Sequence, residues 1–288
     1  MIRVREFALD LFFGTIEKGV FNGGEGHCAQ KVVLPEAIGE IILALKKQSA
    51  ITDGGVDYAM IQQSEAYRTL QEVLYPCLRN FAMDSLVSEE EKLAFWINLY
   101  NLLAIDAVIH YAVRVSVSAG WFGVIRFFRR AAYQVGGLRF SLEDIEHGIL
   151  RANRGLTFIP GRHFRQSDPR SKYALGEMDA RIHIALNCAS RSCPPIAYYA
   201  AGKIHSQLDL AAAHFMDTET QMDRSGVALH VSRIFKWYQK DFGGQVESLD
   251  WMQRYLPEGD MRRRLIENFG EQTMLIFKRY DWHLNDLS

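Results

Sequence analysis

The run from Ser88 to Val113 most constrains what this chain can fold into. Ser88 and Glu91 form a capping-box pair: the serine side chain accepts the amide three residues on, and the glutamate reaches back to the cap amide. Beyond that start, apolar residues surround nearly the whole helix circumference instead of forming one stripe. Such a helix is stable only where other elements cover it on every side. The apolar stretch from Leu93 to Val117 also carries Asn98, Asn101, Asp106, His110 and Arg114. Each would be costly in hydrocarbon, so the run reads as a buried core helix and not a membrane span. Asn98 and Asn101 are three apart and share a face. Buried amides need partners, so the pair either binds the backbone of a neighbouring strand or orients a catalytic group or substrate.

With 288 residues, 48% of them hydrophobic, the chain can fill a sizeable core around that helix. Upstream, Pro35 opens a helix whose Ile38, Ile41, Ile42 and Leu45 form an i, i+3, i+4, i+7 stripe, and residues 64–83 continue in the same manner. Residues 1–84 therefore read as an N-terminal helical subdomain and 85–288 as an α+β domain. Tyr133–Val135, Gly136-Gly137 and Leu138–Phe140 make a hairpin with a two-glycine turn. Ser141 and Asp144 then cap a short helix. Further helices are expected near 203–221, 232–240 and 247–268, and strands near 181–187, 227–231 and 273–282. Strands and helices do not alternate regularly, which favours α+β over a doubly wound sheet. The expected core is the central helix packed on a small, mainly antiparallel sheet that includes 181–187 and 273–282. The polar connection from Asn153 to Asp179 has the length of a lid or binding loop.

The net charge of -1 gives no bias toward nucleic acid or membrane. Residues 121–172 nevertheless hold ten Arg or Lys against four Asp or Glu. Either this is a solvated basic surface, or Arg162 and Arg165 in the suspected lid meet an anionic group, which arginine binds well in bidentate geometry. Four cysteines give no disulfide-scaffold density and no signal peptide is visible, so a cytoplasmic location is expected. No phosphate-binding loop, dinucleotide fingerprint or serine-hydrolase elbow is present. Cys188 and Cys193 lack a second pair at zinc-site spacing. No cofactor and no metal are expected.

The segment Arg181-Ile-His-Ile-Ala-Leu-Asn-Cys-Ala-Ser-Arg-Ser-Cys-Pro-Pro195 concentrates the chemistry. As a strand it would send Ile182, Ile184 and Leu186 to the core and His183 and Asn187 to the other face. The next residues, Ala-Ser-Arg-Ser-Cys-Pro-Pro, are turn material. A nucleophilic thiol needs a base or cation and often a third group that orients the base. Cys188 or Cys193 would be the nucleophile and His183 the base, oriented by Glu146, Asn98 or Asp281. Asn98, Asn101, Asn187, Ser190, Arg162, Arg165 and Asp281 are the candidate substrate contacts. A reversible Cys188–Cys193 disulfide is a further reading. So is a structural role for His183 as a strand histidine with satisfied hydrogen bonds.

His183-Ile-Ala-Leu-Asn-Cys-Ala-Ser-x-Ser-Cys-Pro194 resembles the central signature of the family called domain of unknown function 547. Ala94-Phe-Trp-Ile-Asn-Leu-Tyr-Asn101, Ser141-Leu-x-Asp-Ile-Glu-His-Gly-Ile-Leu-Arg151 and Tyr280-Asp-Trp-His-Leu-Asn285 agree with it in order, over roughly residues 85 to 286. The resemblance implies no established reaction. Its members occur alone, as secreted bacterial proteins, or fused to interaction or redox modules. The residue set is also similar to that of papain-like and transglutaminase-like folds, where a cysteine at a helix start meets a strand histidine. Here both candidate cysteines come after the histidine instead. The expected activity is thiol-dependent acyl transfer or amide-bond hydrolysis on an unknown, anionic or peptidic substrate. The competing class is a non-catalytic protein- or peptide-binding module. No nucleic-acid partner is expected, and the sequence does not give an oligomeric state.

Overall fold

A computed structural model describes residues 8, 10–12, 19–24, 26–28, 32–119, 123–159, 161–223, 228–267 and 274–287. In chain order its main elements are α1 (Leu34–Lys47), α2 (Glu89–His110), α3 (Gly123–Arg130), β1 (Ala132–Val135), β2 (Leu138–Ser141), α4 (Ile204–Glu219), β3 (Gln221–Met222), β4 (Ala228–Val231), α5 (Gln245–Tyr255), α6 (Asp260–Glu267) and β5 (Met274–Phe277). Helix predominates and the strands form small separate sheets, so the fold is α+β. The chain divides into two compact units. The first holds Met1–Glu177, Leu186–Ile204 and Trp282–Ser288, and the second holds Met178–Ala185 and His205–Asp281.

In the first unit α2 is the core. The expected capping box forms, with Glu91 N donating to Ser88 Oγ at 3.1 Å and Ser88 N donating to Glu91 Oε2 at 3.0 Å. Every residue from Leu93 to Val108 is buried. By length and composition α2 would suffice to cross a bilayer, but 89% of its apolar window is covered by protein, which identifies a core helix. The buried stripe of α1 (Leu34, Ile38, Ile41, Ile42, Leu45) packs against it. Each such side chain contributes roughly 1.5–3 kcal/mol on full burial. The β1–β2 hairpin covers another side, with the Phe140 ring 5.1 Å from that of Trp96. Asp106, the one carboxylate of α2 beyond its first turn, is buried and accepts the Tyr67 hydroxyl at 2.6 Å and the Tyr133 hydroxyl at 2.8 Å. Burial, reinforced by the Asp106 carboxylate, pushes both phenols well above their ordinary range, so both remain donors.

The hairpin turns as expected, with Val135 opposite Leu138 and Gly136 and Gly137 at φ 56° and 80°. That left-handed pair is the two-residue turn that matches strand twist. Ser141 and Asp144 cap the next helix reciprocally: Ser141 N donates to Asp144 Oδ2 at 2.9 Å and Asp144 N to Ser141 Oγ at 3.0 Å. That helix is wound as a π-helix over Asp144–Leu150. The polar connection expected as a lid is tied down in the first unit. Asn153 exchanges two hydrogen bonds with the Phe164 backbone, at 3.1 and 2.6 Å. His163 Nε2 lies 2.7 Å from Asp144 Oδ1, and Arg170 donates to Asp144 Oδ2 at 3.0 Å while its guanidinium lies 4.4 Å from the Phe164 ring centre. Arg170 also pairs with Asp168 at 2.8 Å.

The second unit corrects two expectations. Residues 181–187 are not a strand: Ile182–Ala185 is a single helical turn. Asp179 initiates it, its side chain accepting Arg181 N at 2.9 Å and its carbonyl accepting Ile182 N at 3.1 Å. Ile182, His183, Ile184 and Ala185 are all buried, so alternation between a core face and an open face never applied. The three-stranded sheet has the order β3-β4-β5, and β5 runs parallel to β4. The expected strand over 273–282 is described as Met274–Phe277, and the expected starts at Val227 and Thr273 lie outside the described residues. Within the first unit the sheet that packs on the central helix is the 132–141 hairpin, while Met274–Phe277 belongs to the sheet of the second unit. The helix expected over 247–268 is broken into α5 and α6 around Pro257 and Gly259, the latter at φ 157°. That expected over 232–240 is the four residues Ile234–Trp237.

Cys28 and Cys77 form a disulfide across a separation of 49 residues, a pairing that cysteine density alone did not suggest. Beside it, Arg79 donates to the carbonyl of Asn22 at 2.6 Å and to that of Gly26. Asn22 in turn pairs with the backbone of Gln134 in β1 at 2.9 and 2.7 Å.

Titration with a thiol reagent in denaturant should therefore find two thiols before reduction and four after. Closure of a loop of this length is worth about 4 kcal/mol in the chain-entropy account, so replacing both Cys28 and Cys77 by serine should lower the melting temperature markedly. Four thiols without reduction would contradict the pairing. A second expectation concerns acid. Burial pushes the Asp144 carboxyl up, but the His163 hydrogen bond, the Arg170 guanidinium and the Ser141 amide together hold it far below the usual carboxylate range. A depressed native-state pKa contributes stability that is fully present above the unfolded value of about 3.9 and is lost as pH falls below it. Urea midpoints should fall between pH 5 and pH 2.5, and Asp144→Asn should flatten that slope. An unchanged slope would contradict the assignment.

Candidate functional site

The shared face of Asn98 and Asn101 organises the cysteine segment. Asn98 grips Tyr199 through two backbone hydrogen bonds: Nδ2 donates to its carbonyl at 2.7 Å and Oδ1 accepts its amide at 2.9 Å. One helical turn on, Asn101 Oδ1 accepts the Asn187 amide at 2.8 Å. The two asparagines of α2 therefore hold the stretch 187–199 near each end. Helix α1 adds a third hold. Lys46 Nζ donates to Ile196 O at 2.9 Å, and Gly39 lies under Tyr198, whose ring would meet a Cβ there at 2.4 Å. The carboxy-terminal residues supply a fourth, through a bridge between Ser190 and Leu284 and a bond from Asn285 N to Ala189 O at 3.1 Å.

Within these holds the chain makes a tight turn. Asn187 uses its side chain locally, Oδ1 accepting Ala189 N at 2.8 Å and Nδ2 donating to Pro194 O at 2.7 Å. Ala189 sits at φ 65°, a left-handed conformation that a residue with a Cβ adopts only when its surroundings impose it. The turn brings Cys188 and Cys193, neither in a disulfide, to one hydroxyl. Ser190 Oγ, fully buried, lies 3.4 Å from Cys188 Sγ and donates to Cys193 Sγ at 3.4 Å. Cys188 N also donates to Cys193 Sγ, at 2.9 Å. Cys193 Sγ thus accepts an amide and a hydroxyl while remaining half-buried. Donors directed at a sulfur favour its anionic form, which is the nucleophilic one.

Sequence reasoning missed Tyr58 and passed over Asn285 as site residues. Tyr58 OH donates to Asn285 Oδ1 at 2.7 Å, and Asn285 Nδ2 lies 3.4 Å from Asn187 Oδ1. Burial, then the charges of Cys193, Asp286 and Cys188, push the Tyr58 phenol well above its ordinary value, so it serves as a donor beside the thiols. Nothing local in the sequence marks Tyr58, which lies 227 positions from the asparagine it meets.

The remaining candidates fall into other clusters. Glu146, half-buried on the π-helical segment, accepts the Tyr100 hydroxyl at 3.3 Å. Its other oxygen lies 3.8 Å from His147 Nδ1, but Arg151 Nη1 is closer to that nitrogen, at 2.9 Å. A guanidinium only donates, so His147 Nδ1 is the acceptor and the ring proton belongs on Nε2. His183 belongs to the second unit, where its Nε2 lies 3.0 Å from Asp241 Oδ2, both side chains being 1% exposed. Its ring stacks on Tyr238 at 3.7 Å. Asp241, 58 positions away, was not visible as its partner. Asp281 is half-buried, Arg162 is exposed and Arg165 half-buried.

Asn101→Ala removes the acceptor of a buried amide, which costs about 1–3 kcal/mol. The unfolding free energy should fall by that amount, read as a lower urea midpoint at unchanged slope, and an unaltered midpoint would mean that Asn187 N finds another acceptor.

Comparison with known proteins agrees with the sequence signature. No curated protein and no solved structure matches the chain. One family model matches residues 84–216, a span that holds α2, the capped π-helical segment and the cysteine turn, and its description is Protein of unknown function, DUF547. The part of the chain that builds the cysteine turn is therefore similar to the DUF547 family.

Proposed function

We propose that the chain is a thiol-dependent enzyme that transfers or hydrolyses an acyl group, with Cys193 as nucleophile. One observation carries this reading: Cys193 Sγ is half-buried and outside any disulfide, and it accepts both the Cys188 amide and the Ser190 hydroxyl. In this reaction the Cys193 thiolate adds to an acyl carbonyl, and the amine or alcohol leaves as a thioester forms. Water or a second nucleophile then takes the acyl group and returns the sulfur. The backbone at Ala189 supports the reading, since imposed left-handed geometry clusters where a side chain must be aimed. The base expected from the sequence is His183, in the second unit. Its Asp241 partner is the kind of carboxylate that fixes the tautomer of a catalytic histidine. The distant likeness to papain-like and transglutaminase-like enzymes belongs to this proposal, as does a peptidic or anionic substrate.

One observation favours the second reading, a non-catalytic peptide-binding module. Asn98, Asn101 and Asn187, expected to contact substrate, bond to backbone of the chain itself. Alkylation by iodoacetamide between pH 5 and pH 9, with peptide mass spectrometry as the readout, separates the two. The enzyme reading expects Cys193 to react well below pH 8 and faster than Cys188, with Ser190→Ala and His183→Ala each shifting its profile toward that of a free thiol near pH 8.5. Slow, equal labelling of both cysteines would leave the binding module. A normal Cys193 profile in His183→Ala would remove the histidine from the mechanism while keeping the nucleophile.

A further inference from the structure

A cavity of about 390 Å3 in the first unit is lined by Tyr111, Arg114, Val115, Arg126, Phe127 and Arg130, together with neighbouring backbone. That volume lies within the range of small-molecule sites. Its rim is formed where α2 ends. Ala112, at φ 48°, lets its amide return to Ile109 O and that of Val113 to Val108 O, both at 3.0 Å. The carbonyls of Ala107, Val108 and Ile109 near the end of α2 are therefore met by backbone, and none of these needs an arginine to cap it.

The arginines of α3 divide by role. Arg129 turns inward to Asp10 at 2.9 Å and Glu143 at 2.5 Å. Arg126 and Arg130 line the cavity with Arg114 instead. Among the described residues, no carboxylate comes within ion-pair reach of any of these three. The Arg130 guanidinium lies 5.9 Å from the Tyr111 ring centre. Burial pushes the Tyr111 phenol up while Arg130, Arg139 and Arg126 pull it down, the mark of a positive local field. Elsewhere in residues 121–172, Arg139 and Arg170 pair with Asp144, Arg170 again with Asp168, and Lys172 with Asp84. Here three cations line one recess together with Val113, Val115, Val117 and Phe127, and like charges on one recess favour an anion between them.

We infer that this cavity binds a small organic anion with an apolar chain or ring. Its carboxylate or phosphate end would be held by Arg114, Arg126 and Arg130, and its apolar part would rest on Val115 and Phe127. The guanidinium fork suits such oxygens in bidentate geometry. The inference is independent of the thiol chemistry, because it uses none of the residues of the cysteine turn.

Isothermal titration calorimetry of the intact protein with octanoate, octanol and inorganic phosphate tests it. Octanoate should bind saturably at one site, at millimolar concentration or below, and more weakly as salt is raised. Replacing Arg126 and Arg130 together by alanine should weaken it at least tenfold and reduce the salt dependence, and Val115→Asp should weaken it without touching the arginines. Cys193→Ser should leave it unchanged. Equal affinity for octanol would mean a purely apolar recess and overturn the charge argument. Equal affinity for phosphate would overturn the apolar one. Octanoate binding indifferent to the arginine pair, or binding to phosphatidylglycerol vesicles with none to monomeric octanoate, would overturn the site altogether.

Discussion

A helix that is apolar on every side cannot stand at a surface, and most of the first unit is arranged by the need to cover α2. The stripe of α1 and the Phe140 and Tyr133 face of the hairpin are its cover, each burying side chains that would otherwise meet water. The same burial makes the polar groups of α2 consequential. Asp106, Asn98 and Asn101 are nearly solvent-free, and a buried polar atom without a partner costs more than a bond to it gains. Each therefore fixes the element it bonds: Asp106 orders Tyr67 and Tyr133, and the asparagines order the stretch 187–199. The position of the cysteine turn is in this sense a consequence of what the core helix must satisfy.

The capping box, the all-round apolar pattern, the two-glycine hairpin and the Pro35 helix were legible because each is encoded within a few residues. The tight wiring of Asn98 and Asn101 to backbone was legible as one of two alternatives, since their spacing showed that they share a face and their burial demanded partners. Residues 181–187 misled because Ile-His-Ile-Ala-Leu alternates like a strand. The alternation carried no information where both faces are buried, and the Asp179 cap decided the conformation. Tyr58, Asp241 and the Cys28–Cys77 pair were hidden for a common reason: each contact joins residues 49 or more positions apart. No local pattern records such a meeting.

The two cysteine pairs obey different physics. Cys28 and Cys77 are joined and, with Arg79 holding Asn22 and Gly26, staple that stretch to the end of a helical run. Cys188 and Cys193 stay reduced around one serine hydroxyl. A disulfide of the first kind persists most readily in an oxidising compartment. The cytoplasmic location expected from the sequence is accordingly a proposal that the state of Cys28 and Cys77 in cells would test.

Amide hydrogen exchange tests the dependence of the cysteine turn on α2 most directly. Asn187 N and Tyr199 N lie in irregular chain, yet each donates to an asparagine of the core helix. Both amides are expected to exchange as slowly as the core of α2, through global unfolding. Asn101→Ala is expected to release Asn187 selectively while Tyr199 stays protected, and Asn98→Ala to do the reverse. Fast, loop-like exchange at both amides in the unaltered protein would contradict the claim that the core helix holds the turn.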